Sequence, residues 1–156
     1  MKRKMAVLVF AAAAVAVLAP APAQAQVDFG VRGGFYSDSE AGFVGLELLF
    51  GLNRDWFLNP NFEYVFVDDG DLSTVNLDVH YDLPTRNAPY YLWLGGGPAL
   101  VLRDDELSGE DDTELGLNLL AGLGFGKGEA IRPYVQGKIL VSDETEAVLG
   151  VGVRFH

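Results

Sequence analysis

The sequence predicts an all-β fold: eight antiparallel strands wound up and down into a closed barrel. Three observations carry this. Apolar residues recur with a period of two and not at helical spacing. Short turns alternate along the chain with longer hydrophilic loops. Charged residues avoid the apolar face of each strand whose facing can be read. The 156 residues are 49% hydrophobic with 19 Gly and no Cys, which excludes both a disordered chain and a disulfide-stapled one. A net charge of −11 leaves no basic surface for phosphates, so no nucleic-acid partner is expected.

Residues 1–25 read as a cleaved secretory signal peptide. Lys2, Arg3 and Lys4 form a charged start, Ala6 to Ala19 an apolar run, and Ala23-Gln24-Ala25 a small-x-small cleavage site. The competing reading, an uncleaved anchor, fits less well because the apolar run is shorter than the ~20 residues a spanning helix needs. Removal takes three bases and none of the 22 acids. Residues 26–156 are then read as one barrel.

The first strand alternates Val27, Phe29, Val31, Gly33 and Phe35 with Asp28, Gly30, Arg32, Gly34 and Tyr36, giving one greasy face and one polar or small face. The same pattern returns at Val44, Leu46, Leu48, Phe50 and Leu52; at Trp56, Leu58, Phe62, Tyr64 and Phe66; and at Val75, Leu77, Val79, Tyr81 and Leu83. Pro89 to Leu102 is a fifth apolar segment whose facing the pattern leaves open, and Pro98 within it forfeits a ladder hydrogen bond, for which a bulge is expected. The sixth to eighth strands follow at Leu115, Leu117, Leu119, Leu123 and Phe125; at Ile131, Val135, Ile139 and Val141; and at Leu149, Val151, Val153 and Phe155. Short turns at Asn53–Asp55, Pro84–Ala88 and Lys127–Ala130 interleave with loops at Ser37–Ala41, Val67–Leu72, Arg103–Glu114 and Ser142–Ala147.

Charge placement decides which way the greasy face points. Most acids fall in the four longer loops. The charges left on strands are Asp28, Arg32, Glu47, Glu63, Asp78, Asp82, Arg132, Lys138 and Arg154, and each is opposite in parity to its strand's apolar set. A charge among acyl tails near the midplane costs roughly 2–4 kcal/mol, so this sorting is what an eight-stranded antiparallel up-and-down transmembrane β-barrel requires. Segments of about ten residues also match the ~9–11 that a tilted spanning strand needs. A soluble lipocalin-type calyx inverts the pattern and shows water a belt of Leu, Val and Phe, an exposed area that soluble proteins do not tolerate.

The signal peptide, the eight strands, Pro89-Tyr90 and Pro133-Tyr134 at strand openings, and the final Leu149-Gly150-Val151-Gly152-Val153-Arg154-Phe155 together resemble the OmpA-like and OmpX-like outer-membrane barrels, over essentially all of 26–156. The resemblance implies a location in the outer membrane of a Gram-negative cell envelope, contact with outer-membrane lipid, and a monomer. It also implies a terminal aromatic read by the barrel-assembly machinery; here that residue is Phe155, with His156 after it.

Eight strands enclose an interior just wide enough for side chains. The nine strand charges form the expected lumen network. Arg32, Arg132, Lys138 and Arg154 pair with Glu47, Glu63, Asp78 and Asp82 across a plugged lumen, and Asn59, Asn61, Asn76, Asn118, Tyr134 and Gln136 satisfy the rest. The alternative is a narrow, porin-like gated channel in which these pairs exchange partners. Inward glycines such as Gly30, Gly45, Gly122, Gly124 and Gly152 make room for large neighbours.

No cofactor or metal is expected, and no catalytic residue is assigned. Cysteine is absent, and His80 between Asp78 and Asp82 has no nucleophile within evident reach. Lipid A-modifying barrels would need His and Ser near the loop rim, whereas His80 lies well down its strand and His156 at the opposite end. The remaining candidate is an acidic rim: Asp68, Asp69 and Asp71 with Asp104, Asp105, Glu106, Glu110, Asp111, Asp112 and Glu114, carboxylates able to hold a divalent cation through oxygen ligands. An EF-hand register from Asp104 puts Gly109 at the turn position but Leu115 at the final ligand position, so that motif fails. The expected function is structural or surface-interacting, with acidic extracellular loops.

Overall fold

The computed structural model describes residues 26–68, 70–86, 88–104 and 111–156. The signal-peptide expectation for 1–25, and the rim candidates Asp69, Asp105, Glu106 and Glu110, lie outside the described residues. The strands are β1 (Val27–Tyr36), β2 (Ala41–Gly51), β3 (Trp56–Val65), β4 (Asp71–Leu83), β5 (Tyr90–Asp104), β6 (Asp111–Phe125), β7 (Ile131–Val141) and β8 (Thr145–Phe155). Each pairs antiparallel with its sequence neighbours, and β1 closes on β8 from Phe29↔Phe155 to Tyr36↔Val148. Closure leaves no free edge strand around the circumference.

Period-two alternation builds the wall. Outward residues such as Leu46, Leu117, Leu119, Leu149 and Val151 are each more than half exposed, while the inward Asn59, Asp78 and Asn118 are wholly buried. This burial runs opposite to a soluble protein's. Three short turns lie at one end, here the turn end. There Asn53 Oδ1 accepts from the backbone N–H groups of Asp55 and Trp56, at 3.0 and 3.1 Å, and Gly126 and Gly128 adopt φ of 71° and 85°, which favour glycine. Outward aromatics Phe29, Trp56, Tyr90, Phe125 and Phe155 ring this end, with Trp56 and Tyr81 centroids 5.0 Å apart.

Several boundaries differ from the sequence expectation. β4 begins at Asp71 and β5 and β6 pair as far as Asp104↔Asp111, so the acidic candidates Asp71, Asp104, Asp111, Asp112 and Glu114 are strand residues and not loop residues. The physical reason is pairing: once Leu102↔Thr113 is in register, each further step adds ladder hydrogen bonds that the polar sequence tolerates above the rim. Glu146, expected in a loop, is buried in β8 and accepts from the backbone N–H and the hydroxyl of Ser39. The expected bulge at Pro98 is absent. The β4–β5 register passes from Asn76↔Ala99 to Val79↔Gly96 with no inserted residue, and Pro98 points outward opposite Leu117. The facing of β5 is now set: Tyr91, Trp93, Ala99 and Val101 are inward, Leu94 outward.

Candidate functional site: the barrel lumen

The inward faces stack into three layers. The middle layer is ionic. Glu63 on β3 accepts from Arg32 Nη2 at 2.5 Å, Lys138 Nζ at 2.7 Å, Thr74 Oγ1 at 3.2 Å and the Tyr36 hydroxyl. Glu47 on β2 accepts from Arg154 Nε at 2.8 Å and Asn59 Nδ2 at 3.1 Å, with Arg32 Nη1 3.7 Å away. Arg32 thus bridges the two carboxylates. Asp78 has no cation within 4.0 Å among the described residues; the amides of Asn61 and Asn118 donate to it, each at 2.9 Å. Asn118 donates onward to Asn76 at 2.8 Å, and Asn76 to Asn61 at 2.9 Å. Three cations and three carboxylates therefore meet in a layer whose members are all at most 6% exposed.

Below it, toward the turn end, lies an aromatic layer. Arg154 sits 4.7 Å from the Trp93 ring and 4.4 Å from the Tyr134 ring, a cation held between two π faces. Glycines make this possible, because a Cβ on Gly122 would overlap the Trp93 ring and one on Gly152 would meet Tyr134 at 2.5 Å. Each is the cross-strand partner of the ring it accommodates. His80 stacks on Trp93 at 6.0 Å and is 1% exposed, so the His80–Asp78 proximity that invites thoughts of base catalysis is sealed beneath an indole.

Above the ionic layer, toward the loop end, is an apolar layer absent from the sequence expectation. Tyr36, Ala41, Phe43, Val65, Leu72, Ala99, Val101, Leu140 and Val148 pack together, contributed by every strand except β6, and none is more than 5% exposed. β6 supplies Gly116 instead, over which Leu140 leans. A signal for this layer does exist. Strict alternation gives way to consecutive apolar residues near the loop end, at Phe43-Val44, Tyr64-Val65-Phe66, Ile139-Leu140-Val141 and Ala147-Val148-Leu149. A cavity of about 10 Å³, near the minimum for one water, lies between the layers against Phe43, Val148, Arg32, Glu63 and Lys138.

Three expected partners change, the first being that of Asp78, which the amides of Asn61 and Asn118 hold where a cation was expected. Arg132 does not reach the β2–β4 carboxylates: it pairs with Asp28 of β1 at the turn-end mouth, where His156 Nδ1 also approaches Asp28 at 2.5 Å. Both strands flank β8, so the local pair forms at shorter reach than one across the lumen. Asp82, half-buried, makes no ion pair among the described residues and stands outside the central network. At the rim, Arg103 approaches Glu114 at 3.9 Å and Glu144 at 3.5 Å, and Tyr64 donates to Asp71 at 2.6 Å. Asp68 and Asp112 are exposed, and the described residues hold no group of three or more His, Cys, Asp or Glu suited to a metal. The turn-end girdle includes Phe155, paired with Phe29 and Ile131.

An outward apolar belt, an inward polar core and closure of β8 on β1 define the class: the chain has the fold of the eight-stranded outer-membrane β-barrels. The N-terminal barrel domain of Pseudomonas aeruginosa OprF superposes with a TM-score of 0.72 at 20% identity, over 85% of this chain and 98% of that one. Neisserial surface protein A gives 0.65 at 16% identity over 83% and 94%, and Ail of Yersinia pestis 0.51 at 19% over 84% and 97%. No protein-family model and no curated protein matches the sequence.

Proposed function

We propose that the chain is an outer-membrane barrel with a structural or surface-interaction role in the cell envelope, its lumen plugged by the Arg32–Glu47–Glu63–Lys138–Arg154 network and its acidic rim facing outside. The observation that carries this is the sorting of charge: Asp28, Arg32, Glu47, Glu63, Asp78, Lys138 and Arg154 face inward, while Leu46, Leu117, Leu119, Leu149 and Val151 form the outward belt. Such a belt is stable in hydrocarbon and not in water. Export through a cleaved signal peptide, and insertion by the barrel-assembly machinery reading Phe155, complete the proposal. No catalytic role is assigned: His80 lies under Trp93, and its Nε2 has no hydrogen-bond partner among the described residues. The rim carboxylates are taken as solvated charge that divalent cations can bridge to lipid phosphates.

Purified protein in planar bilayers tests the closed lumen, and an unboiled gel tests the barrel. The expected result is compact migration that shifts on boiling, with no conductance steps. Discrete steps from wild-type protein would replace this reading with the porin-like channel. A change in lipid A mass after expression would replace it with an enzyme.

A further inference from the structure

We infer that the lumen is closed from the loop end by a second seal in series with the ion pairs, the apolar layer, which stays shut when the ionic layer is broken. This rests on the closed-lumen reading and names what holds it closed.

The register shows how the two seals are stacked. Side chains two residues apart on one strand occupy successive inward levels. Val65 is therefore one level toward the rim from Glu63, Leu140 from Lys138, and Leu72 from Thr74. Glu63, Thr74 and Lys138 each have an apolar cover supplied by their own strand. The covers reach one another: Phe43, Val65, Leu72, Val101, Leu140 and Val148 belong to one contiguous buried cluster, with Phe43 held edge-on against Tyr36 at 5.4 Å and 85°. Only Tyr36, whose hydroxyl donates to Glu63, is tied to the ionic layer by a hydrogen bond; the other members are held by apolar packing. Loss of Glu63 removes the partner of Lys138, one of the two carboxylates beside Arg32 and the acceptor of the Tyr36 hydroxyl, but leaves the apolar contacts among the covers.

An ion that has passed the rim charges must shed water to cross the apolar layer before it reaches the ionic layer, and an apolar constriction stops such an ion by dewetting. The approximately 10 Å³ cavity sits where the layers meet and offers room for about one water. Breaking the charge network alone leaves this barrier standing. The layer's nine residues thus do work that the buried charges were expected to do alone.

The chain has no cysteine, so a single thiol at Thr74→Cys, one level below Leu72 and 1% exposed, reports entry of a charged thiol reagent into the folded barrel in neutral detergent. The expected result is slow modification both with and without Glu63→Ala, and at least tenfold faster modification with Phe43→Ala and Leu140→Ala while Glu63 is intact. An unboiled gel confirms that each variant is folded; if the pair does not fold, Phe43→Ala alone serves. Acceleration by Glu63→Ala equal to that of the apolar substitutions overturns the inference, as does an apolar variant that folds and reacts no faster. Rapid modification of Thr74→Cys with no other change instead overturns the closed-lumen reading itself.

Discussion

Glu47 is where the ionic layer is most open to a quantitative test. Its carboxylate is the only anion paired with Arg154 among the described residues, the Nε–Oε1 distance is 2.8 Å, and both side chains are at most 1% exposed. Replacing Glu47 with Leu strands a buried guanidinium. The rings of Trp93 and Tyr134 still face it, but they do so in both forms and their roughly 0.5–2 kcal/mol does not offset the loss. Arg32 keeps Glu63 and is spared. Asn59 loses one acceptor but retains the Leu48 carbonyl at 2.7 Å. The expected cost is therefore that of unpairing one buried ion, about 3–5 kcal/mol. The double variant Glu47→Leu, Arg154→Leu removes the stranded charge, so it should recover most of this loss, a coupling of about 3 kcal/mol. Urea unfolding in phospholipid vesicles, read by tryptophan fluorescence and by unboiled gel, measures both. A single-variant cost below about 1 kcal/mol, or a double variant worse than the single, refutes the reasoning.

Four further outcomes follow from the same geometry. Asp28→Ala should cost no more than about 1 kcal/mol in the same unfolding assay, because its partners Arg132 and His156 are 17% and 47% exposed and water replaces the pair. Gly122→Val should cost about 1–3 kcal/mol by driving Trp93 off its cross-strand seat, visible as a shifted Trp93 emission. Val151→Arg, outward and 57% exposed, should lose roughly 2–4 kcal/mol in vesicles. Calcium calorimetry on refolded protein should give the same heat with and without the Asp104–Glu114 segment, since solvated carboxylates make no dedicated site; heat lost on deletion would establish one there.

The wall of the barrel was legible because membrane and lumen impose opposite chemistry on alternate residues. Val27 to Tyr36 shows the rule in full: apolar residues at odd positions, Asp28 and Arg32 at even ones. The rule failed where the lumen itself turns apolar. Phe43, Val65 and Leu140 share parity with charged residues, and a reading that equates inward with polar has no place for them. β5 was unreadable for a related reason. Tyr91 and Trp93 fill the inward face while Leu92 and Leu94 fill the outward one, so both faces are apolar and the alternation disappears. Charge placement predicted which residues enter the lumen but not which ones touch. Glu63 gathers cations from β1 and β7, Arg132 turns to Asp28, and Asp78 is held by amides, distinctions set by barrel radius and strand stagger that no linear spacing encodes. Loop lengths were overestimated because acidic residues read as loop, although a hairpin continues to pair above the rim whatever its side chains.

The direction in which the apolar stave faces point decides whether this barrel lives in a membrane or in water. Nitroxide labels placed one at a time from Leu149 to Val153 on β8, in protein reconstituted into bilayers, measure it through collision with oxygen, which concentrates in hydrocarbon, and with a water-soluble nickel chelate. Labels at Leu149, Val151 and Val153 should collide with oxygen and not with nickel, while those at Gly150 and Gly152 should be shielded from both, giving a period of two. Nickel collisions at Val151 equal to those of an exposed rim site would show that this face meets water, and the barrel would then have to be a soluble one.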